Sequence, residues 1–215
     1  MKNKGNIFMM NKLERRIIDI SYKKGLSHIG SCLSVVKQID AIFQTKKRDE
    51  PFVLSNAHSS LALYVVLEKY GYGDAEKLFD KHGVHCNRDI EHGIWVSGGS
   101  LGCAISICVG LALANRDRLH YCMISDGETN EGAVFESLRI ATEQRLENLR
   151  ILLMANSWGA YGKIDLEYLR HRILTFYPLL IVETNLFDWP SWLNGLEGHY
   201  HVMTKSDYEE ITKNR

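Results

Sequence analysis

Apolar and polar positions alternate with helical spacing near the start of the chain. In Asn11 to Lys24, Leu13, Ile17, Ile18 and Ile20 fall among charged residues, and Leu33 to Phe43 and Ser59 to Lys69 carry similar patterns. Three amphipathic helices are therefore predicted to open the fold. The pattern then changes to short β-prone runs: Ile94-Trp95-Val96, Tyr121-Cys122-Met123-Ile124, Ile151-Leu152-Leu153-Met154 and Leu179-Leu180-Ile181-Val182, with helix-like segments between them. Short apolar strands alternating with helices predict an α/β fold, a mostly parallel sheet covered by helices on both faces. With 3 prolines and no repeat or linker-like stretch, the 215 residues read as one domain, 1–215.

In such sheets ligands gather outside the carboxyl ends of the strands. After the first three runs come Ser97-Gly98-Gly99-Ser100-Leu101-Gly102, Ser125-Asp126-Gly127-Glu128 and Ala155-Asn156-Ser157-Trp158-Gly159. Asp126 and Asn156 offer the hard oxygen donors that Mg²⁺ prefers. Their spacing of 30 positions suits one strand–helix–strand unit, with Glu131 to Gln144 as the crossover helix. Gly127, Gly98 and Gly99 allow the backbone to approach an anion closely.

A rival reading takes Gly98-Gly99-Ser100-Leu101-Gly102 as the nucleophile turn of a serine hydrolase, with Ser100 attacking and Asp126 and His199 following in order. It leaves His28, His58, His85 and Asn156 without a role. His82, His85, Cys86 and His92 match no common zinc spacing. Trp189 and Trp192 about Pro190 read as a packed surface corner.

Charge adds exclusions. Lys+Arg and Asp+Glu both number 26, so no basic excess points to nucleic acid. The longest nearly apolar run, Cys103 to Ala114, is 12 residues, short of the roughly 20 a membrane span needs. No secretory apolar core follows the basic N-terminus, so a cytoplasmic location is expected. The five cysteines form no CxxC pair and are expected as buried free thiols.

Beyond these local readings, the chain resembles the diphosphate-binding domain of transketolase and related thiamine-diphosphate enzymes. Ser125-Asp126-Gly127 to Asn156 resembles the Gly-Asp-Gly…Asn hallmark, with Ser for the first glycine. Ser27-His28-Ile29-Gly30, Leu54-Ser55-Asn56-Ala57-His58, His85-Cys86-Asn87-Arg88, the Ser97 to Gly102 turn, and Asp126-Gly127-Glu128-Thr129-Asn130-Glu131-Gly132 resemble further family segments in the family's order. Gly198-His199-Tyr200 resembles a Gly-His-Asp.

The resemblance implies that Asp126, Asn156 and the Trp158 carbonyl hold Mg²⁺ or Ca²⁺. It implies that His58 and the Gly127 amide touch the cofactor diphosphate, that Gly99, Ser100 and Leu101 line its thiazolium and neighbourhood, and that Glu128 is a further cofactor-binding residue. His28 and His85 match substrate-facing histidines, and Glu131 a glutamate near the subunit interface that links paired cofactor sites.

The family's activating glutamate belongs to a separate pyrimidine-binding domain, for which this chain is too short. One half of a split transketolase is therefore implied, completed by a pyrimidine-binding subunit, as a heterotetramer with two copies of each chain. The implied reaction is transfer of a two-carbon ketol unit from a ketose to an aldose. Ala160-Tyr161-Gly162, where the family has Ile-Asp-Gly, points to a specialised sugar substrate. A non-catalytic cofactor-binding relic is the further alternative.

Overall fold

The structure is a computed structural model and describes residues 10–184 and 189–213. Helix α1 (Lys12–Lys24) begins where sequence chemistry asks it to. Asn11 Oδ1 accepts the amides of Leu13 and Glu14 at 2.9 Å, and Glu14 returns a carboxylate oxygen to the Asn11 amide at 2.8 Å. Gly25, at φ 62, ends the helix in the left-handed region. Helices α2 (Ile29–Thr45) and α3 (Ser60–Lys69) pack against it, with strand β1 (Phe52–Leu54) between them in sequence. α4 (Ala75–His82) follows, then a long loop into α5 (Cys103–Ala114).

The remaining chain alternates: β2 (His120–Ser125), α6 (Gly132–Glu143), β3 (Leu149–Ala155), the two-residue strands β4 (Trp158–Gly159) and β5 (Gly162–Lys163), α7 (Leu166–Leu174) and β6 (Leu180–Glu183). Helices α8 (Gly195–Tyr200) and α9 (Lys205–Lys213) complete the described chain. Strands β1, β2, β3 and β6 pair in that order, all parallel, while β4 and β5 form an antiparallel hairpin.

Side-chain alternation along the strands divides the core in two. Phe52, Leu54, Met123 and Met154 face α1, α2 and α3. Val53, Cys122, Ile124, Ile151 and Leu153 face α5, α6 and α7. The sheet is buried on both sides, as expected from its continuous apolar strands.

One predicted strand is replaced. Ile94-Trp95-Val96 joins no sheet: Ile94 makes a single antiparallel bridge to Asp89, and the run anchors the long loop by burying Ile94 and Val96. The sheet's first strand is instead β1, three residues long after Pro51. Trp189 is buried as the expected corner requires, and Trp192 Nε1 donates to Glu210. Cys32, Cys86, Cys108 and Cys122 are buried free thiols, whereas Cys103 on the first turn of α5 is exposed. No helix among the described residues is long and apolar enough to cross a membrane.

Candidate functional site

Asp126 follows β2 directly and is almost fully buried. Its Oδ2 accepts the amides of Asn156 at 2.9 Å and Ser157 at 2.7 Å, and its Oδ1 accepts the Gly127 amide at 3.0 Å. The parallel register that sets Ser125 beside Met154 brings these neighbouring strand ends together. Ser157, at φ 69, turns the chain through a conformation costing a side-chain-bearing residue about 1 kcal/mol. That turn aims two successive amides at one carboxylate. Burial pushes the Asp126 carboxyl up to about 6, against the downward pull of the three amides.

These groups line a cavity of about 200 Å³. Opposite the strand ends stand His28, His58 and His199, with ring centroids 4.5 Å apart for His28–His199, 5.3 Å for His58–His199 and 5.6 Å for His28–His58. His28 sits at φ 60 just before α2, its ring held by the Ser27 hydroxyl at 2.8 Å. Its amide donates to the His199 carbonyl at 2.9 Å, and Ser31 Oγ lies 3.2 Å from His199 Nδ1. Burial, then the neighbouring histidines, pushes His28 down to about 4 and His58 down to about 3; burial lowers His199 as well. The cluster is thus neutral near pH 7. Among the described residues no Lys or Arg lines this cavity, although Lys163 lines an adjoining one of about 540 Å³ that shares Ser31, Asn156, Trp158 and His199.

Nine of the twelve residues singled out by sequence line the cavity: His28, His58, His85, Gly99, Leu101, Asp126, Gly127, Asn156 and Trp158. Three do not. Ser100 is exposed outside it, and Glu131 precedes α6 with its carboxylate accepting the Tyr161 hydroxyl at 3.0 Å. Glu128 is fully buried behind the cavity wall, its oxygens occupied by Ser55, Gly102 and Ser125, so it supports the site rather than lining it.

The hydrolase reading fails on the same geometry. The turn holding Ser100 follows no sheet strand, Asp126 pairs with backbone amides, and His199 Nδ1 pairs with Ser31. His82 and His92 both meet Asp89, and no cluster of three His, Cys, Asp or Glu suited to a metal occurs among the described residues.

Sequence reasoning assigns Ser31, Ser55, Leu196 and Tyr200 no role, yet they line the cavity, and it offers His199 only as the rival hydrolase's histidine and in a loose motif likeness. Ser31 is within reach of such reasoning, three residues beyond His28 on one helix face.

A hard divalent cation fits this donor set. Asp126 supplies a buried carboxylate whose hydrogen bonds come from backbone amides, Asn156 an amide oxygen fixed by accepting the Trp158 amide at 2.9 Å, and Trp158 its carbonyl. Close backbone approach is enforced nearby. A Cβ on Gly127 would lie 3.2 Å from Gly159 Cα, and one on Gly98 would lie 2.0 Å from Ala57 Cβ.

The fold and site together define an α/β protein with a carboxylate, an amide oxygen and closely approaching backbone gathered at the carboxyl ends of parallel strands. The family described as transketolase, thiamine diphosphate binding domain, matches residues 10–174, and the chain belongs to that family. It is 28% identical to one of the named subunits of the apulose-4-phosphate transketolase of Phocaeicola vulgatus, over 94% of this chain and 90% of that protein. It is 31% identical to the 6-deoxy-6-sulfo-D-fructose transketolase subunit SqwG of a Clostridium species, over 88% of this chain and 73% of that one. A Pichia stipitis transketolase structure superposes with a TM-score of 0.76 at 20% identity, over 95% of this chain and 40% of that chain. The chain thus spans about 40% of the length of that solved transketolase but most of each separate subunit.

Proposed function

We propose that this chain is the diphosphate-binding subunit of a split transketolase, acting as a single domain that binds thiamine diphosphate with Mg²⁺ or Ca²⁺. The observation that carries this reading is the convergence of Asp126, Asn156, Gly127 and three neutral histidines on one cavity without a cationic side chain among its described lining. A diphosphate there needs a metal to balance its charge, and the donors for one are present.

Bound at this site, the cofactor supplies a nucleophilic carbon that accepts and releases a two-carbon ketol unit. The chain's own residues do the rest. Asp126, Asn156 and the Trp158 carbonyl hold the cation, while His58 faces the diphosphate and Gly127, its amide committed to Asp126 Oδ1, lets the backbone come close to it. Gly99 and Leu101 form the wall at the ring end. His28 and His85 face the sugar, where imidazoles can take or give protons at the ketose hydroxyls and carbonyl. The activating glutamate is assigned to a C-terminal pyrimidine-binding partner subunit, two copies of each chain forming a heterotetramer. The substrates are a ketose and an aldose. The two relatives named above act, by their names, on sugars carrying a phosphate or a sulfo group.

Calorimetry on the chain, alone and co-produced with its partner, tests this reading. Thiamine diphosphate is expected to bind only with Mg²⁺, and Asp126→Ala and Asn156→Ala to weaken it at least tenfold. Mg²⁺-dependent binding unaltered in both variants would sink the assignment. Cofactor binding in the assembled complex without ketol transfer from any ketose would favour the non-catalytic relic.

A further inference from the structure

Glu128 has no exposed surface, yet no lysine or arginine pairs with it among the described residues. Its Oε1 accepts the Ser55 hydroxyl at 2.6 Å and the Gly102 amide at 3.0 Å, while Oε2 accepts the Ser125 amide at 2.9 Å. These donors belong to three separate segments. Ser55 follows β1 and leads into His58, Ser125 ends β2 beside Asp126, and Gly102 closes the glycine-rich turn that carries Gly99 and Leu101.

A buried carboxylate met only by neutral donors is costly to keep. An apolar side chain would fill the space at less cost but could not satisfy the two amides. Gly102 sits at φ 74, and a Cβ there would fall 2.8 Å from Glu131 Cβ, so this amide is fixed in place and directed at the Glu128 carboxylate.

We infer that Glu128 is a positioning residue that sets the spacing between the two ends of the cofactor site. The Asp126 end and the Gly99–Leu101 wall are tied through one side chain, and the His58 segment is tied to both. Ligand binding to this chain therefore depends on Glu128 although Glu128 touches no ligand. The inference rests on the proposed cofactor site for its ligand readout, but the tying of the three segments can be tested without cofactor.

Glu128→Gln keeps the size but turns an NH₂ toward a donor, and Ser55→Ala removes one arm only. Amide hydrogen exchange is measured on the cofactor-free chain, and thiamine diphosphate with Mg²⁺ is titrated into wild type and both variants. Glu128→Gln is expected to speed exchange at Gly102 at least tenfold, with far-UV circular dichroism and the exchange of α1 to α3 unchanged. It is expected to weaken cofactor binding at least tenfold, and Ser55→Ala to do so about threefold. Unchanged Gly102 exchange, or binding within twofold of wild type in a folded Glu128→Gln, overturns the inference. If Glu128→Gln does not fold, Ser55→Ala decides: normal binding by a folded Ser55→Ala makes the role one of stability alone. If wild type binds no cofactor while Glu128→Gln still loosens Gly102, the proposed function falls and the tying role stands.

Discussion

Gly98→Ala offers a steric test whose size is set by a single distance. An added Cβ would stand 2.0 Å from Ala57 Cβ, 3.4 Å from Ala57 Cα and 3.7 Å from Cys86 Sγ. Apolar carbons rest at about 3.5–4.0 Å, so one backbone must retreat by roughly 1.5–2 Å. Neither can yield easily. Ala57 is buried at the start of the helical turn Ala57–Ser59, and the Gly98 amide is held by the Cys86 carbonyl at 2.8 Å. Overpacking of a close-fitted core costs about 1–3 kcal/mol, and this case belongs at the upper end.

Urea titration followed by circular dichroism should place the Gly98→Ala midpoint about 1–1.5 M below wild type, taking a slope of roughly 2–3 kcal/mol per M. The second-site change Ala57→Gly removes the clashing methyl. Alone it should cost about 1 kcal/mol; combined with Gly98→Ala it should recover about 2 kcal/mol, a clear departure from additivity. Because Ala57 precedes His58, the single variant should also weaken Mg²⁺-dependent cofactor binding and the double variant restore part of it. A Gly98→Ala chain within about 0.5 kcal/mol of wild type, or strictly additive costs, would show that the two backbones are not in forced contact.

Titration, thiol chemistry and active-site labelling give three more tests. The lowered His28 and His58 values mean that the unfolded chain takes up protons first, so the stability they carry is full above about pH 6.5 and is lost as pH falls toward about 4 for His28 and about 3 for His58. Asp126, raised to about 6, works in the opposite sense and recovers stability below that pH; urea midpoints at about pH 7.5 and about pH 4.5 should therefore drop more steeply in Asp126→Asn than in wild type, and an equal or shallower drop would contradict this. Cys103 alone among the five cysteines is exposed, so one thiol per folded chain should react quickly with Ellman's reagent and five after unfolding. Ser100 stands outside the histidine cavity and should remain unlabelled by a fluorophosphonate; a covalent adduct at Ser100 by mass spectrometry would reopen the hydrolase reading.

Much of this arrangement is readable from local signals. Helix α1 follows apolar spacing, β2, β3 and β6 follow apolar runs, and Asp126 and Asn156 sit where one strand–helix–strand unit brings them together; α3 forms where a helix is expected but, rather than amphipathic, is buried at every position from Ser60 to Leu67. What escapes is set by tertiary context. β1 has three residues, too few for a period, while Ile94-Trp95-Val96 is strand-like in composition but pairs with no sheet strand. The short amphipathic α4 and α7 lie between stronger patterns. Ser31 and His199 meet across 168 residues of sequence, a juxtaposition no local pattern announces. Glu128 is legible as part of a motif but misplaced by it, because burial behind the wall is decided by three segments converging on one side chain.

That no lysine or arginine lines the cavity among the described residues has a consequence for control. Where a site grips a polyanion with lysines and arginines, added salt competes with the ligand for fixed charges. Under the function proposed above, the compensating charge would arrive dissolved, as the divalent ion itself. On that proposal occupancy would be a joint function of two concentrations, responding to chelators far more than to ionic strength.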